Sequence, residues 1–419
     1  MKETGQASLE LNGTAPPAFL KPFDSLRVRA FRIFWIGMWM TWFGLSMQTV
    51  ARGWYMYKLT GSPLLLGAAA AASGVPMLVI SPIVGTLADR IDKRTLLLIG
   101  QVGAGLCAIV IAFVIFSGLI QWWHLIAYAL VQGSFMAVIF TTRGAYFPEL
   151  VKPHQLLNAG ALTNGEMHVT QIVGPATAGL LIAAIGVDKV YFLVSGMYFV
   201  AFLILLRLPK SGITPGARGR SIFKEMGDAL RYVKRDVVLV LLLVMAFVAV
   251  IFGMPFQTLL PIITEDILKV GPQGLGLLLS MAGIGAVAAV ALIAILGDYR
   301  HKGMLLLAFA IVWGVGILAF NLSTSWKLSL GLIILVGLGQ AGRMTVNMTL
   351  LQANVERHML GRVMSLWSIS FGLQTVTALP MGAIAGWIGA PVTMAIAGGA
   401  LLCYALVALV FQPSLRRLP

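Results

Sequence analysis

The 419-residue chain repeats itself once, at about half its length. Six features of the first half recur in the second half at a constant offset of 209 residues. The pairs are Pro63 and Pro272, Gly67 and Gly276, Gly74 and Gly283, Asp89 and Asp298, Lys93 and Lys302, and residues 96–98 and 305–307. Duplicated halves in a membrane chain are typical of folds whose binding site lies where the repeats meet. The repeat therefore predicts two similar bundles around a central site.

The chain is too apolar for a soluble protein. Hydrophobic residues make up 59% of it and charged residues only 11%, against about 25% charged residues in a soluble domain. Its apolar segments reach the ~20 residues that a helix needs to cross a bilayer, and each must be helical because lipid cannot satisfy free backbone amides. The predicted spans are residues 31–57, 63–86, 95–118, 123–145, 158–185, 189–208, 237–260, 272–296, 303–321, 327–350, 362–386 and 391–411.

The spans fall six and six around a polar linker. We therefore predict an all-α membrane protein with 12 transmembrane helices in two pseudo-symmetric six-helix bundles. The expected segments are a mobile cytoplasmic tail at 1–24, an N-terminal bundle at 25–208, a cytoplasmic linker at 209–236, a C-terminal bundle at 237–412 and a cytoplasmic tail at 413–419. In the linker, apolar residues recur at helical spacing from Ile222 to Val233, which predicts an amphipathic helix lying on the inner leaflet.

Basic residues set the expected orientation. About 23 of the 30 lysines and arginines lie in the N-terminal tail and in the loops on its side of the membrane. Because basic loops stay in the cytoplasm, both termini are predicted to be cytoplasmic. Trp54 and Tyr57 lie near a predicted outer end, as in an interfacial aromatic belt. The net charge of +15 is spread over many short loops, which argues against nucleic-acid binding.

Few residues favour catalysis or a bound cofactor. Both cysteines lie within spans, the five histidines are dispersed, and the chain has no phosphate-binding loop of the Walker type. We therefore expect no metal site, no cofactor and no ATPase activity. A membrane-embedded enzyme would need paired acids, a nucleophile with its base or clustered metal ligands, whereas the spans offer a single acid. A scaffold that transports nothing is the other remote alternative.

The loop between the second and third spans carries the most specific motif. Residues 85–94 read GTLADRIDKR, which resembles the GxLaDrxGrkr signature of the major facilitator superfamily. Asp92 departs from that signature, which usually has glycine at this position. The second copy, at 296–302, is degraded, and twelve spans in two halves fit the same family. The resemblance implies a monomeric transporter that works by alternating access.

The same motif predicts a cytoplasmic gate. A carboxylate at a tight turn favours a neighbouring helix N-terminus, where the dipole is positive. The resemblance implies that Asp89 meets the start of span eleven near Arg362, and that Asp298 does the same near Asn158. The predicted gate residues are Gly85, Asp89, Arg90, Arg94, Asp298 and Arg362. The alternative is that these charges only set the topology.

Shorter motifs narrow the resemblance. The segment 148–151, the pair Asn158-Ala159, the pair Gly174-Pro175 with Gly179, and the segment 361–365 are similar to a branch of bacterial efflux proteins that includes the enterobactin exporter. This resemblance implies export, proton coupling and a location in the bacterial inner membrane.

Histidines and groups at the very ends of spans aside, four charged residues lie inside the predicted spans: Arg52, Arg143, Glu166 and Arg343. Such groups are costly in lipid and are functional candidates by default. Glu166 is the one acid, and Arg143 lies across a short turn from it, within reach of its carboxyl group. Burial favours the protonated acid and a facing arginine favours the carboxylate, so Glu166 with Arg143 is the predicted proton-coupling site. A purely structural Arg143–Glu166 pair is the alternative.

Polar and aromatic residues on several spans predict a central substrate site. Arg343, Gln340 and Asn347 share one face of span ten, because they are three and four residues apart. The full set of predicted substrate-binding residues is Arg343, Asn347, Gln340, Arg52, Trp39, Gln48, Phe252, Gln257 and Gln374. An aromatic wall with a few polar groups suits a bulky, partly apolar ligand, and three arginines against one glutamate favour an anion. Any one of these aromatics can instead face lipid.

These observations predict a proton-coupled exporter of an amphiphilic, anionic small molecule such as a siderophore-like metabolite or a drug. Its partners would be the substrate, protons and the lipid bilayer. The two bundles would rock about the central site. An importer, or a flippase or facilitator for a lipid-like substrate, would use the same fold.

Overall fold

The structure is a computed structural model. It describes residues 23–88, 90–211, 222–297, 299–356, 359, 362–364, 366–367, 373–374, 376–416 and 418, and the side chains of 222–226 lie outside the description. The expected tail at 1–24 therefore falls almost wholly outside the described residues, and so do Asp89 and Asp298.

Thirteen helices of eight or more residues account for most of the described chain. In chain order they are α1 Arg29–Thr60, α2 Pro63–Ala88, α3 Lys93–Phe116, α4 Trp122–Tyr146, α5 Leu156–Ile185, α6 Val187–Leu205, α7 Ile222–Val233, α8 Val237–Ile267, α9 Gly271–Leu296, α10 Lys302–Leu322, α11 Trp326–Asn354, α12 Ala378–Ile388 and α13 Ala390–Phe411. Helix α8 contains two π-helical segments, Ala249–Gly253 and Ile263–Ile267.

Ten of these helices are long and apolar enough to cross a membrane: α2 to α6, α8 to α11, and α13. They confirm ten of the predicted spans. The span predicted at 31–57 coincides with α1, which has 32 residues but is less apolar because it carries tryptophans, glutamine and arginines. The span predicted at 362–386 overlaps α12, whose described part has 11 residues.

The helices pack in two sets, α1 to α6 (the N-terminal set) and α8 to α13 (the C-terminal set). In the N-terminal set, α1 packs on α5 and α6, α2 on α4, and α3 on α4 and α6. In the C-terminal set, α11 packs on α9 and α10, and α10 packs on α13. The sets meet where α5 packs on α9 and α2 packs on α12.

One of the repeated glycine pairs, Gly67 and Gly276, lies at these contacts between the sets. A Cβ atom added to Gly67 of α2 would lie 2.3 Å from the carbonyl oxygen of Ala378 in α12. A Cβ atom added to Gly276 of α9 would lie 2.3 Å from the carbonyl oxygen of Pro175 in α5. The repeat in the sequence therefore marks two equivalent places where helices approach so closely that only glycine fits.

We call these two contacts the seam. Both lie at one end of the molecule, near the turn between α1 and α2 and the turn between α8 and α9. At their other ends, Leu157 of α5 and Ile295 of α9 are each 82% exposed. The contacts between α5 and α9 continue from the seam to the middle of both helices, where the hydroxyl group of Ser280 donates to the carbonyl oxygen of Ile172.

The linker helix is present where the sequence predicts it. Ala229 and Val233 of α7 are buried in the apolar core of the C-terminal set. Leu230, on the same predicted apolar face, is 47% exposed.

Candidate functional site: a central cavity below the seam

A cavity of about 370 Å³ lies between the two sets beside the seam. Leu66 and Leu275, the residues that precede the two seam glycines, both line it. Its apolar wall includes Ala69, Met77, Met136 and Leu279, and its polar lining residues are Gln48, Thr49, Arg52, Ser73, Gln132, Gln257, Thr258 and Gln374. Apolar walls with a few polar groups are typical of small-molecule sites.

Among the described residues that line this cavity, Arg52 is the only charged one. It is 9% exposed, and its Nη2 atom donates a hydrogen bond to Ser73 Oγ at 3.2 Å. The Ser73 hydroxyl in turn donates to the carbonyl oxygen of Ala70 at 2.7 Å. Helix α2 carries this hydroxyl group. It is held in place by α4, which approaches closely where Gly133 faces the Ser73 carbonyl group.

Gln48 belongs to a buried polar network one turn from Arg52. Its Oε1 atom accepts hydrogen bonds from Tyr128 Oη at 2.7 Å and from Gln132 Nε2 at 3.2 Å. Its Nε2 atom is buried and has no hydrogen-bond partner among the described residues. The network therefore holds the Gln48 amide through its oxygen atom and leaves its nitrogen atom free to donate.

The C-terminal set contributes neutral amides to the cavity. Gln257 and Gln374, both predicted from the sequence, line it. Gln257 Nε2 donates to Gln340 Oε1 at 3.2 Å, so Gln340 lies directly behind Gln257. The structure thus brings Arg52, Gln48, Gln257 and Gln374 to one cavity, with Gln340 in contact.

Four other predicted substrate residues lie away from this cavity. Arg343 is 3% exposed, and its guanidinium carbon lies 5.4 Å from the ring centre of Trp313. Asn347 donates to the carbonyl oxygen of Leu242 at 3.1 Å. Trp39 packs edge-on against Trp35, and Phe252 packs against the apolar core from the first π-helical segment of α8.

Arg143 and Glu166 meet between α4 and α5, as their predicted pairing requires. Arg143 Nη2 lies 3.9 Å from Glu166 Oε1 and donates to the carbonyl oxygen of Thr163 at 2.7 Å. The guanidinium also lies over the ring of Trp42, 5.0 Å from its centre. The Glu166 side chain is fully buried, and among the described residues neither carboxylate oxygen meets a donor with hydrogen-bond geometry, although the Trp42 indole lies beside it. The pair is therefore loosely held on the carboxylate side and firmly held on the arginine side.

The described gate residues lie at the end of the molecule opposite the seam. Arg94 donates to the carbonyl oxygen of Leu206, Arg90 is exposed, and an added Cβ atom at Gly85 would meet nothing within 4 Å. Arg362 lies 3.9 Å from Asp228 of the linker helix. Asn158, the expected partner of Asp298, accepts hydrogen bonds from Ser25.

A family model for transmembrane secretion effectors matches residues 20–417, which is nearly the whole chain. The chain belongs to this family of major facilitator superfamily transporters. It is a multi-pass membrane transporter and not an enzyme, and the membership confirms the superfamily resemblance of the motif at 85–94.

Efflux proteins are among the transporter's curated relatives. It is 22% identical to macrolide efflux protein A of Streptococcus pyogenes over 393 residues, covering 93% of this chain and 97% of the relative. It is 26% identical to the enterobactin exporter EntS of Shigella boydii over 401 residues, covering 93% of each chain. The solved structure of the nucleoside transporter NupG shares the fold, with a TM-score of 0.69 and 12% identity over 91% of this chain and 98% of that one.

The sequence did not predict one feature of the transporter's site, a set of hydrogen bonds over the seam end of the cavity. Trp54 of α1 donates to Glu265, and Tyr57 donates to Asp266, both in the second π-helical segment of α8. We call these two bonds the outer latch. The span predicted at 237–260 ends before Glu265 and Asp266, and Trp54 and Tyr57 are predicted from the sequence to belong to an aromatic belt. Acids opposite aromatic donors at matching span ends are the signal that would have found them.

Proposed function

We propose that the protein is a proton-coupled exporter of an amphiphilic small molecule. The cavity carries this proposal, because it lies beside the seam and residues of both sets form its wall. Its mixture of apolar wall and separated polar groups suits a molecule that is apolar over most of its surface and polar at its edges.

The proposed architecture is the one that the sequence predicts. Twelve transmembrane helices form two six-helix bundles, at 25–208 and 237–412, joined by the linker 209–236 and followed by the tail 413–419. Support comes from the ten apolar helices, from α1, and from α12 at the second half of span eleven. The basic loops support cytoplasmic termini. We propose that the protein lies in the bacterial inner membrane with the seam on the outer side. The protein acts as a monomer.

The amphiphilic substrate is supported by the names of the relatives. One exports macrolides and another exports enterobactin. A siderophore-like metabolite or a drug is therefore the substrate class that we propose.

The proposed mechanism exchanges one proton for the substrate at opposite faces of the transporter. When the cavity opens outward, substrate leaves and Glu166 takes a proton from outside. When the sets rock to open the cavity inward, Glu166 releases that proton to the cytoplasm and new substrate enters. Arg143 lies 3.9 Å from the carboxyl group and stabilises it after the proton leaves, because an opposite charge favours the ionised form. Gly85, Asp89, Arg90, Arg94, Asp298 and Arg362 form the proposed cytoplasmic gate.

Proton flux in liposomes tests the proposal. Purified protein is reconstituted with a pH-sensitive dye inside the vesicles, and erythromycin, a macrolide, or enterobactin is added to one side. We expect substrate addition to drive proton movement in wild type and in Glu356→Gln, which changes an exposed glutamate outside the spans. We expect Glu166→Gln to reduce the substrate-driven proton flux at least ten-fold.

The outcomes separate the alternatives. Substrate movement without any proton movement would contradict the antiporter and favour a facilitator. Proton-driven substrate uptake in the inward direction would favour an importer. Unchanged proton flux in Glu166→Gln would show that another group couples the proton.

A further inference from the structure

We infer that the cavity holds its ligand by an anionic group, a carboxylate or a similar oxyanion, bound at Arg52. The inference rests on the proposed function in one respect: it takes the cavity as the place where the transported molecule binds. It adds the chemical class of the bound group, the residue that selects it and the orientation of the ligand.

The charge of Arg52 is not balanced within the described protein. Its guanidinium is positive at physiological pH, and no carboxylate oxygen of a described residue lies within 4.0 Å of it. Its recorded hydrogen bond goes to a neutral hydroxyl group, Ser73 Oγ. A buried charge without an opposite charge is costly, so an anionic ligand recovers free energy that a neutral ligand cannot.

Arg143 shows the contrasting case in the same set of helices. That arginine is also buried, yet it has Glu166 at 3.9 Å and the face of Trp42 beside it. Arg343, the third buried arginine, lies over Trp313 and outside the cavity. Of the three arginines that favoured an anion, Arg52 is therefore the one placed to meet a ligand.

A second donor lies beside Arg52 on the cavity wall. Gln48 is 1% exposed and its Nε2 atom is an unpartnered donor, while its Oε1 atom is occupied by Tyr128 and Gln132. A buried donor without a partner is costly, and an acceptor on the ligand would recover that cost. Gln132 Oε1 also lacks a partner, and since it accepts, it suits a hydroxyl or N–H group next to the anion.

The rest of the cavity fixes the orientation of the ligand. The anionic end lies against α1 and α2, while Met136, Leu275 and Leu279 form apolar wall for the body. Gln257 and Gln374 of the C-terminal set complete the cavity with neutral amides. A bound ligand therefore contacts a charged residue of the N-terminal set and neutral residues of the C-terminal set.

A matched pair of probes tests the inference by direct binding. The probes are 1-naphthaleneacetate and its neutral amide, which share ring and shape and differ in charge. Affinity is measured with the full-length protein in lipid nanodiscs. We expect wild type to bind the carboxylate about 10-fold to 100-fold more tightly than the amide, as the loss of a charged hydrogen bond implies.

Variants test whether Arg52 causes the preference for the carboxylate. Arg52→Gln is expected to bind both probes alike, and Arg52→Lys to keep most of the preference because it keeps the charge. Ser73→Ala, which leaves the charge in place, is expected to reduce the preference less than three-fold. Arg207→Gln, an exposed arginine outside the cavity, is the matched control and is expected to behave as wild type.

Three results would overturn the inference. They are equal affinity of wild type for the two probes, no measurable binding of the carboxylate, and a preference that survives in Arg52→Gln. None of these results bears on proton coupling, which the Glu166→Gln flux assay measures separately. A proton-coupled exporter that treats both probes alike would keep the proposed function and lose the anion site.

Discussion

The carboxylate of Asp92 accepts a hydrogen bond from the backbone N–H of Ser211 at 2.7 Å. Asp92 caps α3, where it accepts from the backbone N–H of Arg94 and from the hydroxyl group of Thr95. Ser211 returns a bond, since its hydroxyl oxygen accepts from the backbone N–H of Lys93 at 2.9 Å. The residue that departs from the superfamily signature therefore fastens the start of the linker to the N-terminal set.

Removing this side chain is expected to loosen the linker. Asp92→Ala loses an N-cap, which costs about 0.5–2 kcal/mol, and it also frees Ser211. We expect faster tryptic cleavage after the exposed Lys210. Asp236→Ala is the matched control, because Asp236 caps α8 through Val238. Equal cleavage in the two variants would mean that Asp92 acts only as a cap.

The same contact predicts how stability changes with pH. Burial raises the pKa of Asp92, but the hydrogen bonds from Ser211, Thr95 and Arg94 outweigh it, and the pKa lies below its ordinary value. A lowered pKa in the folded protein means that the carboxylate stabilises the fold fully above the ordinary aspartate pKa of about 3.9. That stability is lost as the pH falls through the lower, folded value.

Apparent melting temperatures of wild type and Asp92→Ala should therefore differ most at pH 5–7. The difference should shrink as the pH falls below about 4. A difference that stays constant down to pH 3 would show that the ionised carboxylate contributes nothing beyond its neutral form.

The close contact at the seam glycines predicts that a larger residue there opens the seam end. A Cβ atom at Gly276 would lie 2.3 Å from the carbonyl oxygen of Pro175, closer than atoms can approach, so Gly276→Ala must push α5 and α9 apart. We expect the variant to populate a state that is open at the seam end. Gly196→Ala in α6 is the control, since nothing lies within 4 Å of its added Cβ atom, and alanine there should be neutral or favourable.

Spin labels at Lys189 and Lys269 measure that opening. Both residues are exposed, one beside each set at the seam end, and Cys107 and Cys403 are replaced beforehand. Longer distances in Gly276→Ala than in Gly196→Ala are the expected result. Identical distance distributions would show that the seam is not a close contact in the membrane.

The sequence predicted more of the fold than of the site, for a physical reason. Helices in lipid are specified by long apolar runs, so ten spans and the helix at Ile222–Val233 could be read directly. Contacts between helices depend on which face each side chain takes. Arg343 and Asn347 share a face with Gln340, yet that face packs partly on Trp313 and Leu242, and only Gln340 reaches a cavity residue.

The periodicity of the sequence could not predict which residues of one set contact residues of the other. Arg143 and Glu166 lie 23 residues apart across a short turn, and their contact followed from that turn. Trp54 and Glu265 are separated by 211 residues, and their contact depends on how the two sets close. The repeat in the sequence identified Gly67 and Gly276 as an equivalent pair. It did not predict that they lie against Ala378 and Pro175.

The outer latch is expected to hold the seam end closed. A hydrogen bond to a charged group contributes about 1.5–3 kcal/mol, so the double variant Trp54→Phe/Tyr57→Phe, which keeps both rings and removes both donors, should favour opening at least ten-fold. The measurement is the labelling rate of a cysteine at Gln257, which lines the cavity, by a membrane-impermeant maleimide on the seam side. Trp122→Phe, an exposed tryptophan at the same end, should leave that rate unchanged. Equal rates in all three proteins would contradict a gating role.

A double-mutant cycle on Arg143 and Glu166 separates a proton site from a structural ion pair. Breaking a structural buried pair costs about 3–5 kcal/mol, and the double variant recovers much of that loss. Among the described residues neither oxygen of Glu166 meets a donor with hydrogen-bond geometry, although the Trp42 indole lies beside the carboxyl group. A buried carboxyl group in that setting is far less costly when it is neutral. We therefore expect Glu166→Gln to cost under about 1 kcal/mol of unfolding free energy, the usual range for a change that breaks no buried network.

Arg143→Gln is expected to cost more, because it also loses the bond to the Thr163 carbonyl and the contact with Trp42. The coupling energy between the two sites should then stay below about 1 kcal/mol, near the error of additivity. Denaturant unfolding at pH 7 of wild type, both single variants and Arg143→Gln/Glu166→Gln gives that energy. A coupling of 3 kcal/mol or more would identify a permanent ion pair, and Glu166 could not then release and rebind a proton in each cycle.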